Sequence, residues 1–282
     1  MLVKISCMIV KEDPVPEDKY PELAALDSKL MISPALALNS VSKSLAAMAK
    51  AARDNVELSL QQFKHYDEKR TEVIKDTEER IDHFTDNAEN YFIGLSKNIE
   101  NDRDNRLLNM FMQCTPNVER IGDYATNFDE MAKKLSESNL AFSEGAQKEF
   151  DILGDAILEI LRLTVEAIET ENEQTVRRIE PLEEVIDDMV LLLKNRHTTR
   201  LRRGICSIDT GLIFMDALTH LERAADQCSS IAMLILGKNN DDILRNHHRY
   251  LQELHSTEDQ SYLAEHKNRR EQYLIPLESI AI

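Results

Sequence analysis

The feature that most constrains this chain is an internal repeat. Glu78-Glu79-Arg80-Ile81-Asp82 is matched by Glu183-Glu184-Val185-Ile186-Asp187, offset by 105 positions (78 to 183). Glu119-Arg120-Ile121-Gly122-Asp123 is matched by Glu222-Arg223-Ala224-Ala225-Asp226, offset by 103 (119 to 222). A doubled segment of this length means two copies of one supersecondary unit, each closing its own hydrophobic seam, with room for a face shared between them. The difference of two between the offsets fits a shorter turn before the last helix of the second copy.

Apolar spacing identifies the unit. Leu45, Met48, Ala49, Ala52, Val56, Leu60 and Phe63 step by threes and fours along one helical face. Ile74, Ile81, Phe84, Ala88, Tyr91 and Leu95 mark a second helix. Phe111, Cys114, Val118, Ile121, Ala125, Phe128, Ala132 and Leu135 mark a third, with the seam of a helix packed lengthwise against others. The pattern restarts with Ile157, Leu161, Val165 and Ile168. It continues through Ile179, Leu182, Ile186, Met189 and Leu193, then Phe214, Ala217, Leu221, Ala224, Cys228, Ile231 and Ile235. Breaks are expected near 98–106, 139–143 and 198–207. Ser33-Pro34 supplies an N-cap and a first-turn proline, and Gly237 a C-terminal stop.

The expected fold class is therefore all-α, with two tandem antiparallel three-helix bundles and a short helical C-terminal tail. Residues 1–32 form an N-terminal arm, of which 11–32, with Pro14, Pro16 and Pro21 among charges, read as extended. The first bundle spans 33–139, the second 143–238, and the tail 239–282. Only 7 Gly, 7 Pro and no Trp in 282 residues agree with long helices.

Charge and cysteine content exclude several functions. With 51 acidic and 34 basic residues the chain carries a net charge of −17, which opposes nucleic-acid binding through phosphate neutralisation. None of Cys7, Cys114, Cys206 and Cys228 forms a CxxC pair, so zinc-knuckle and thioredoxin-like chemistry is not indicated, and buried free thiols are expected. The apolar run Met1–Val10 is about half of the ~20 residues a membrane span needs and lacks a cleavage site. No Walker loop, dinucleotide glycine motif, HExxH or GxSxG is present, so the reading is of a protein that is not an enzyme.

The repeated acids carry the functional signal. Residues at i and i+4 share a helix face about 5–6 Å apart. Glu78 with Asp82 and Glu119 with Asp123 form two such pairs, Asn127 lying one turn further on; Glu183 with Asp187 and Glu222 with Asp226 repeat them, followed by Ser230. Like charges at this spacing destabilise a bare helix, and several oxygens together suit hard cations. If the stripes face each other, four carboxylates surround metal in each bundle. Oxygen ligands favour Mg, Mn or ferric Fe, with Zn accommodated by bridging carboxylates. The first bundle is expected to bind better, because it has Asn127 where the second has Ser230. The competing reading is two solvated acidic faces, neutralised by Arg120 and Arg223. Two further clusters read as exposed: the histidines His247, His248 and His255, and the basic run Arg196, His197, Arg200, Arg202 and Arg203. The latter is taken as a solvated turn, with an anionic lipid surface or phosphate as the alternative.

These motifs resemble a known family. Glu119-Arg-Ile-Gly-Asp123 and Glu222-Arg-Ala-Ala-Asp226 are similar to the repeated E/DxxxD motif of PhoU proteins, and above all to the PhoU-like cytoplasmic portion of bacterial sodium/phosphate (Na/Pi) cotransporters. Leu26 to Leu38 resembles the stretch leading into that portion, His197 to Cys206 its second-bundle turn, and Leu2 to Val10 the end of the membrane region. Gln227 stands where the cotransporter-type second motif often has His, and Ser230 where Asn would parallel Asn127, so the second site is expected to bind metal less well. The resemblance implies a regulatory or accessory role in sodium-dependent phosphate transport and metal clusters in the bundles. It also implies a membrane phosphate transporter domain or subunit as partner, and a cytoplasmic location at the inner face of the cell membrane. It leaves open a homo-oligomer. It also leaves open a metal-storage or metal-sensing protein without a transporter partner, and a plain helical scaffold.

Overall fold

The computed structural model describes residues 19–23, 26–240, 243, 246, 249–251, 254 and 259–281. The opening run with Cys7, and the tail histidines His247, His248 and His255, lie outside them. Among the described residues all regular structure is helical. The first bundle is α1 (Pro34–Gln62), α2 (Glu68–Ser96) and α3 (Asp102–Glu137). The second is α4 (Glu144–Thr170), the short α5 (Glu173–Val176), α6 (Ile179–Arg202) and α7 (Ile208–Gly237). A C-terminal strap follows: α8 (Gln260–Arg269), a π-helical turn (Arg270–Leu274) and α9 (Ile275–Glu278).

Local chemistry explains the starts and stops. The side chains of Asp67, Asn101, Ser143 and Ser207 accept hydrogen bonds from first-turn amides of α2, α3, α4 and α7. These bonds satisfy donors that have no partner within the helix. Ser33 occupies the cap position of α1 but makes no side-chain cap bond. Glu171 ends α4 in the left-handed conformation at φ 49°. The turn between α6 and α7 uses Gly204 at φ +68°, where an L side chain would be strained. α7 ends at Gly237 with an ordinary right-handed cap at Lys238.

The core is continuous across both bundles. α1 packs against α2 and α3 of its own bundle and against α4 of the next, while α3 also packs against α7. Small residues on α1 (Ala37, Ala46, Ala49, Ala51 and Ala52) are buried on several sides and let these helices approach. Where the bundles meet, Phe63, Phe142, Phe150 and Phe214 cluster. Their ring centroids lie 4.9 Å (Phe63–Phe150) and 5.0 Å (Phe142–Phe214) apart. Each such aromatic pair contributes about 0.5–1.5 kcal/mol beyond burial.

Two buried polar networks fix the register. The Gln62 amide donates to Asp129 at 2.7 Å, and Thr71 donates to the same carboxylate oxygen at 2.9 Å, tying the ends of α1 and α2 to α3. Glu149, fully buried on α4, receives Arg196 at 2.9 Å and Arg200 at 2.6 Å. This corrects the reading of 196–203 as a solvated turn. α6 runs on to Arg202, and Arg196, His197 and Arg200 are buried. Of the basic side chains in that run, only Arg202 and Arg203 are exposed.

The described part of the N-terminal arm is also not extended. It forms two 3-10 turns, Pro21–Leu23 and Ser28–Ile32, and buries Tyr20 and Leu23. Arg80 holds it by donating to the Tyr20 carbonyl at 2.9 Å. The C-terminal strap lies along α6. Tyr262 donates to Glu184 at 2.5 Å, Arg270 pairs with Asp188 at 3.0 Å, and Arg196 donates to the Leu277 and Glu278 carbonyls at 3.0 and 2.8 Å.

One close approach gives a direct test. A Cβ on Gly211 would lie 2.7 Å from Nε2 and 2.9 Å from Cε1 of His197. That ring is buried and backed by Phe214 at 5.3 Å. Ala is the better helix former by about 1 kcal/mol, but overpacking a core costs about 1–3 kcal/mol. Gly211→Ala is therefore expected to be net destabilising by about 1–2 kcal/mol in a urea titration. A stabilised variant would show that the ring moves aside freely.

Candidate metal centres

The acidic stripes of α2 and α3 face each other, and those of α6 and α7 do the same. In the first bundle, one carboxylate oxygen each from Glu78, Asp82 and Asp123 lie within 4.8 Å of one another. In the second, Glu183, Asp187 and Asp226 form the same constellation. Each second-bundle acid is the image of a first-bundle one under the sequence offsets of 105 and 103.

The fourth acid of each set is placed differently. Glu119 is half-buried beside the first trio but not part of it. Burial, then Asp123 and Asp82, raise its pKa, so it feels the cluster's charge. Glu222 is turned to Lys194, with Nζ–Oε2 at 2.6 Å. The expected four-fold convergence is thus three-fold. A step of four residues rotates a side chain by about 40° and moves it about 6 Å along the axis, enough to carry it off a small site. Asn127 is half-buried one turn beyond Asp123 on α3. Arg120 and Arg223 are exposed, and among the described residues neither forms an ion pair with these acids. The cation that sequence reasoning missed is Lys194. It stands at the position of Glu89 in the first copy, and that reversal of charge is visible in the repeat alignment.

The electrostatics are those of crowded carboxylates. Glu78 is pushed up to about 7 by burial, then by Asp82 and Asp123. Asp123 is raised by burial and Asp82. In the second cluster, burial first and the neighbouring acids next raise Glu183 to about 9 and Asp187 to about 6. Asp226 is raised by burial and Glu222. At neutral pH Glu183 therefore keeps its proton and shares it with Asp226. Buried Cys228 has its thiol pushed up to about 12 by burial, so it offers no thiolate at this site.

The donor set fits a hard cation. Three carboxylates crowded together and partly desolvated gain most from a divalent or trivalent charge between them. The spread of up to 4.8 Å lets small side-chain rotations close the oxygens onto metal–oxygen distances of about 2.0–2.6 Å. No metal chemistry beyond binding and charge neutralisation follows from these residues.

A pH dependence follows without metal. Unfolded carboxyls lose their protons near about 4–4.5. The folded Glu78 holds its proton to about 7 and Glu183 to about 9. Between these values the native state binds more protons than the unfolded state, so stability falls as pH rises. In EDTA, the urea midpoint is expected to drop progressively from pH 5 to pH 9. A flat or rising profile would mean the clusters are solvated.

Two segments of the chain, residues 45–132 and 150–235, match the model of the PhoU domain. Their starts lie 105 positions apart and their ends 103, the same offsets that relate the acid clusters. This chain belongs to the PhoU family. It is 26% identical over 144 residues to the phosphate-specific transport system accessory protein PhoU homolog 1 of Thermotoga maritima. That match covers 50% of this chain and 61% of the relative, so less than two thirds of the relative's length is represented. The fold is similar to the phosphate transport system regulatory protein PhoU of Streptococcus pneumoniae, with a TM-score of 0.66, 19% identity, and coverage of 74% of this chain and 98% of that one. It is equally similar to PhoU of Pseudomonas aeruginosa, at TM-score 0.67, 19% identity, and 71% and 96% coverage. Among the described residues no helix is long and apolar enough to cross a membrane.

Proposed function

We propose that this PhoU-family chain is a regulatory or accessory module of phosphate transport. It acts on a membrane phosphate transporter domain or subunit and holds metal ions in its two carboxylate clusters. The observation that carries this reading is the coincidence of the two PhoU-domain matches with the two clusters, copy for copy. The PhoU-domain relative named for a phosphate-specific transport system supports the transport connection. The finer proposal is that the transporter is sodium-dependent, the chain being the cytoplasmic portion of a Na/Pi cotransporter or a stand-alone relative of one. The resemblance of Leu26–Leu38 and His197–Cys206 to that portion supports it. The domain boundaries proposed are 33–139 and 143–238, each containing one matched segment.

The test is phosphate uptake in cells of the source organism lacking the chain. Re-expression of wild type is expected to restore the parental rate and its response to external phosphate, and the sodium dependence of the affected flux identifies the transporter class. Uptake identical with and without the chain, at both low and high phosphate, would reject the transport reading. Metal binding without any effect on uptake would favour a storage or sensing protein.

A further inference from the structure

The tip that joins α6 to α7 carries an exposed aliphatic patch beside exposed arginines. Ile208 is 73% exposed, Leu212 61%, Ile205 47% and Leu201 37%. Ile208 and Leu212 stand one turn apart on the first turns of α7. Leu201 closes the patch, because its Cδ2 lies 3.4 Å from the Cβ position of Gly211. Arg202 and Arg203 are exposed at the same turn, and among the described residues neither pairs with a carboxylate. Asp209 is the one acid between residues 201 and 212. The chain as a whole carries −17, so a positive tip runs against the composition.

Packing does not account for these side chains. The inward residues of the same segment are engaged in the core: Arg196 and Arg200 on Glu149, His197 against Gly211 and Phe214. Helix C-terminal arginines complement the macrodipole, but that leaves Ile205, Ile208 and Leu212 facing outward without a reason. The patch is formed by a turn and two helix ends. It is aliphatic, with charged groups long enough to reach past it. Aliphatic side chains that enter the acyl boundary, flanked by arginines at headgroup level, are the composition of an interfacial membrane anchor.

We propose that the α6–α7 tip docks on an anionic lipid surface, with Leu201, Ile205, Ile208 and Leu212 entering the bilayer interface and Arg202 and Arg203 on the headgroup phosphates. The buried Glu149–Arg196–Arg200 network holds the tip rigid, so docking requires no refolding. This docking is independent of the metal clusters, which lie further along α6 and α7.

The experiment is co-sedimentation of the full chain with large vesicles at low salt. One set is pure phosphatidylcholine and the other contains 30% phosphatidylserine (about one lipid in three). Wild type is expected to partition onto the anionic vesicles and to be released by added salt, because charge interactions at a surface are screened. Each arginine at an anionic surface is worth about fivefold in partitioning, so Arg202→Gln with Arg203→Gln is expected to weaken binding by about 25-fold. Ile208→Asp with Leu212→Asp is expected to abolish it. Both double variants alter exposed positions, and an unchanged thermal melt verifies their folds. Failure of wild type to bind either vesicle, or equal binding by the variants, overturns the proposal. So does a concentration-dependent dimer that Ile208→Asp with Leu212→Asp dissociates, since the patch then belongs to a second copy of the chain.

Discussion

Glu149→Ala is expected to lower stability by about 3–5 kcal/mol, the cost of leaving buried charge uncompensated. Glu149 is wholly inaccessible, and its two oxygens take Arg196 at 2.9 Å and Arg200 at 2.6 Å. Without it, two guanidinium groups face each other in a low-dielectric site. Arg196 keeps its bonds to the Leu277 and Glu278 carbonyls, and Arg200 keeps the face of Phe214, 5.6 Å from the ring centre. Neither contact replaces a carboxylate. At about 2–4 °C per kcal/mol for a chain of this size, the melting temperature is expected to fall by about 10 °C. The matched control replaces all three charges, with Glu149→Leu, Arg196→Met and Arg200→Met. It is expected to recover most of the loss, because an apolar triad of similar volume is often as stable as the ionic one. A single substitution costing under about 1 kcal/mol would mean that water reaches the arginines.

The same network shows where sequence reading stops. The seam residues of α3 (Phe111, Cys114, Val118, Ile121, Ala125, Phe128, Ala132 and Leu135) are all buried, as their spacing requires. Helical periodicity is a local signal, and a repeat read in two copies fixes its register. The partner of Arg196 is 47 positions upstream, and no local pattern links them. A signal was nonetheless present. Glu149 falls on the apolar stripe of α4 with Ala146, Phe150, Leu153 and Ile157. Asp129 falls likewise on that of α3, beside Phe128 and Ala132. A charged residue inside an apolar stripe demands a buried partner; the basic run of α6 supplies it to Glu149, and Gln62 and Thr71 supply it to Asp129. The acid clusters were legible in the same partial way. Four-residue spacing points to the helices and faces on which the trios lie. It did not separate Asp123, which joins the trio, from Glu119, which does not. That choice depends on the axial offset of α2 against α3, a tertiary quantity.

Saturating Mn or Fe is expected to raise the melting temperature of the wild-type chain by several degrees. A ligand at 100 times its dissociation constant adds about 2.7 kcal/mol per site to a state that alone can bind it, or about 6 °C for a chain of this size. The unfolded chain cannot hold Glu78, Asp82 and Asp123 within 4.8 Å, so the stabilisation belongs to the fold. The two sites are not expected to be equal. At the first, among the described residues, no basic side chain pairs with the trio, and Asn127 lies one turn away. At the second, Glu183 holds a proton to about 9 that metal must displace, and Lys194 already neutralises Glu222. Asp123→Ala should therefore remove more of the metal-induced shift at pH 7 than Asp226→Ala. The second site should gain on the first as pH rises and its proton is lost. In EDTA both substitutions should be tolerated well, because each relieves repulsion among like charges. A wild-type melt indifferent to Mn and Fe would reduce both clusters to acidic surface. A shift that survives in the double substitution would place the metal elsewhere on the chain. Either outcome would leave the family assignment standing, since it rests on the matched segments and not on the ion.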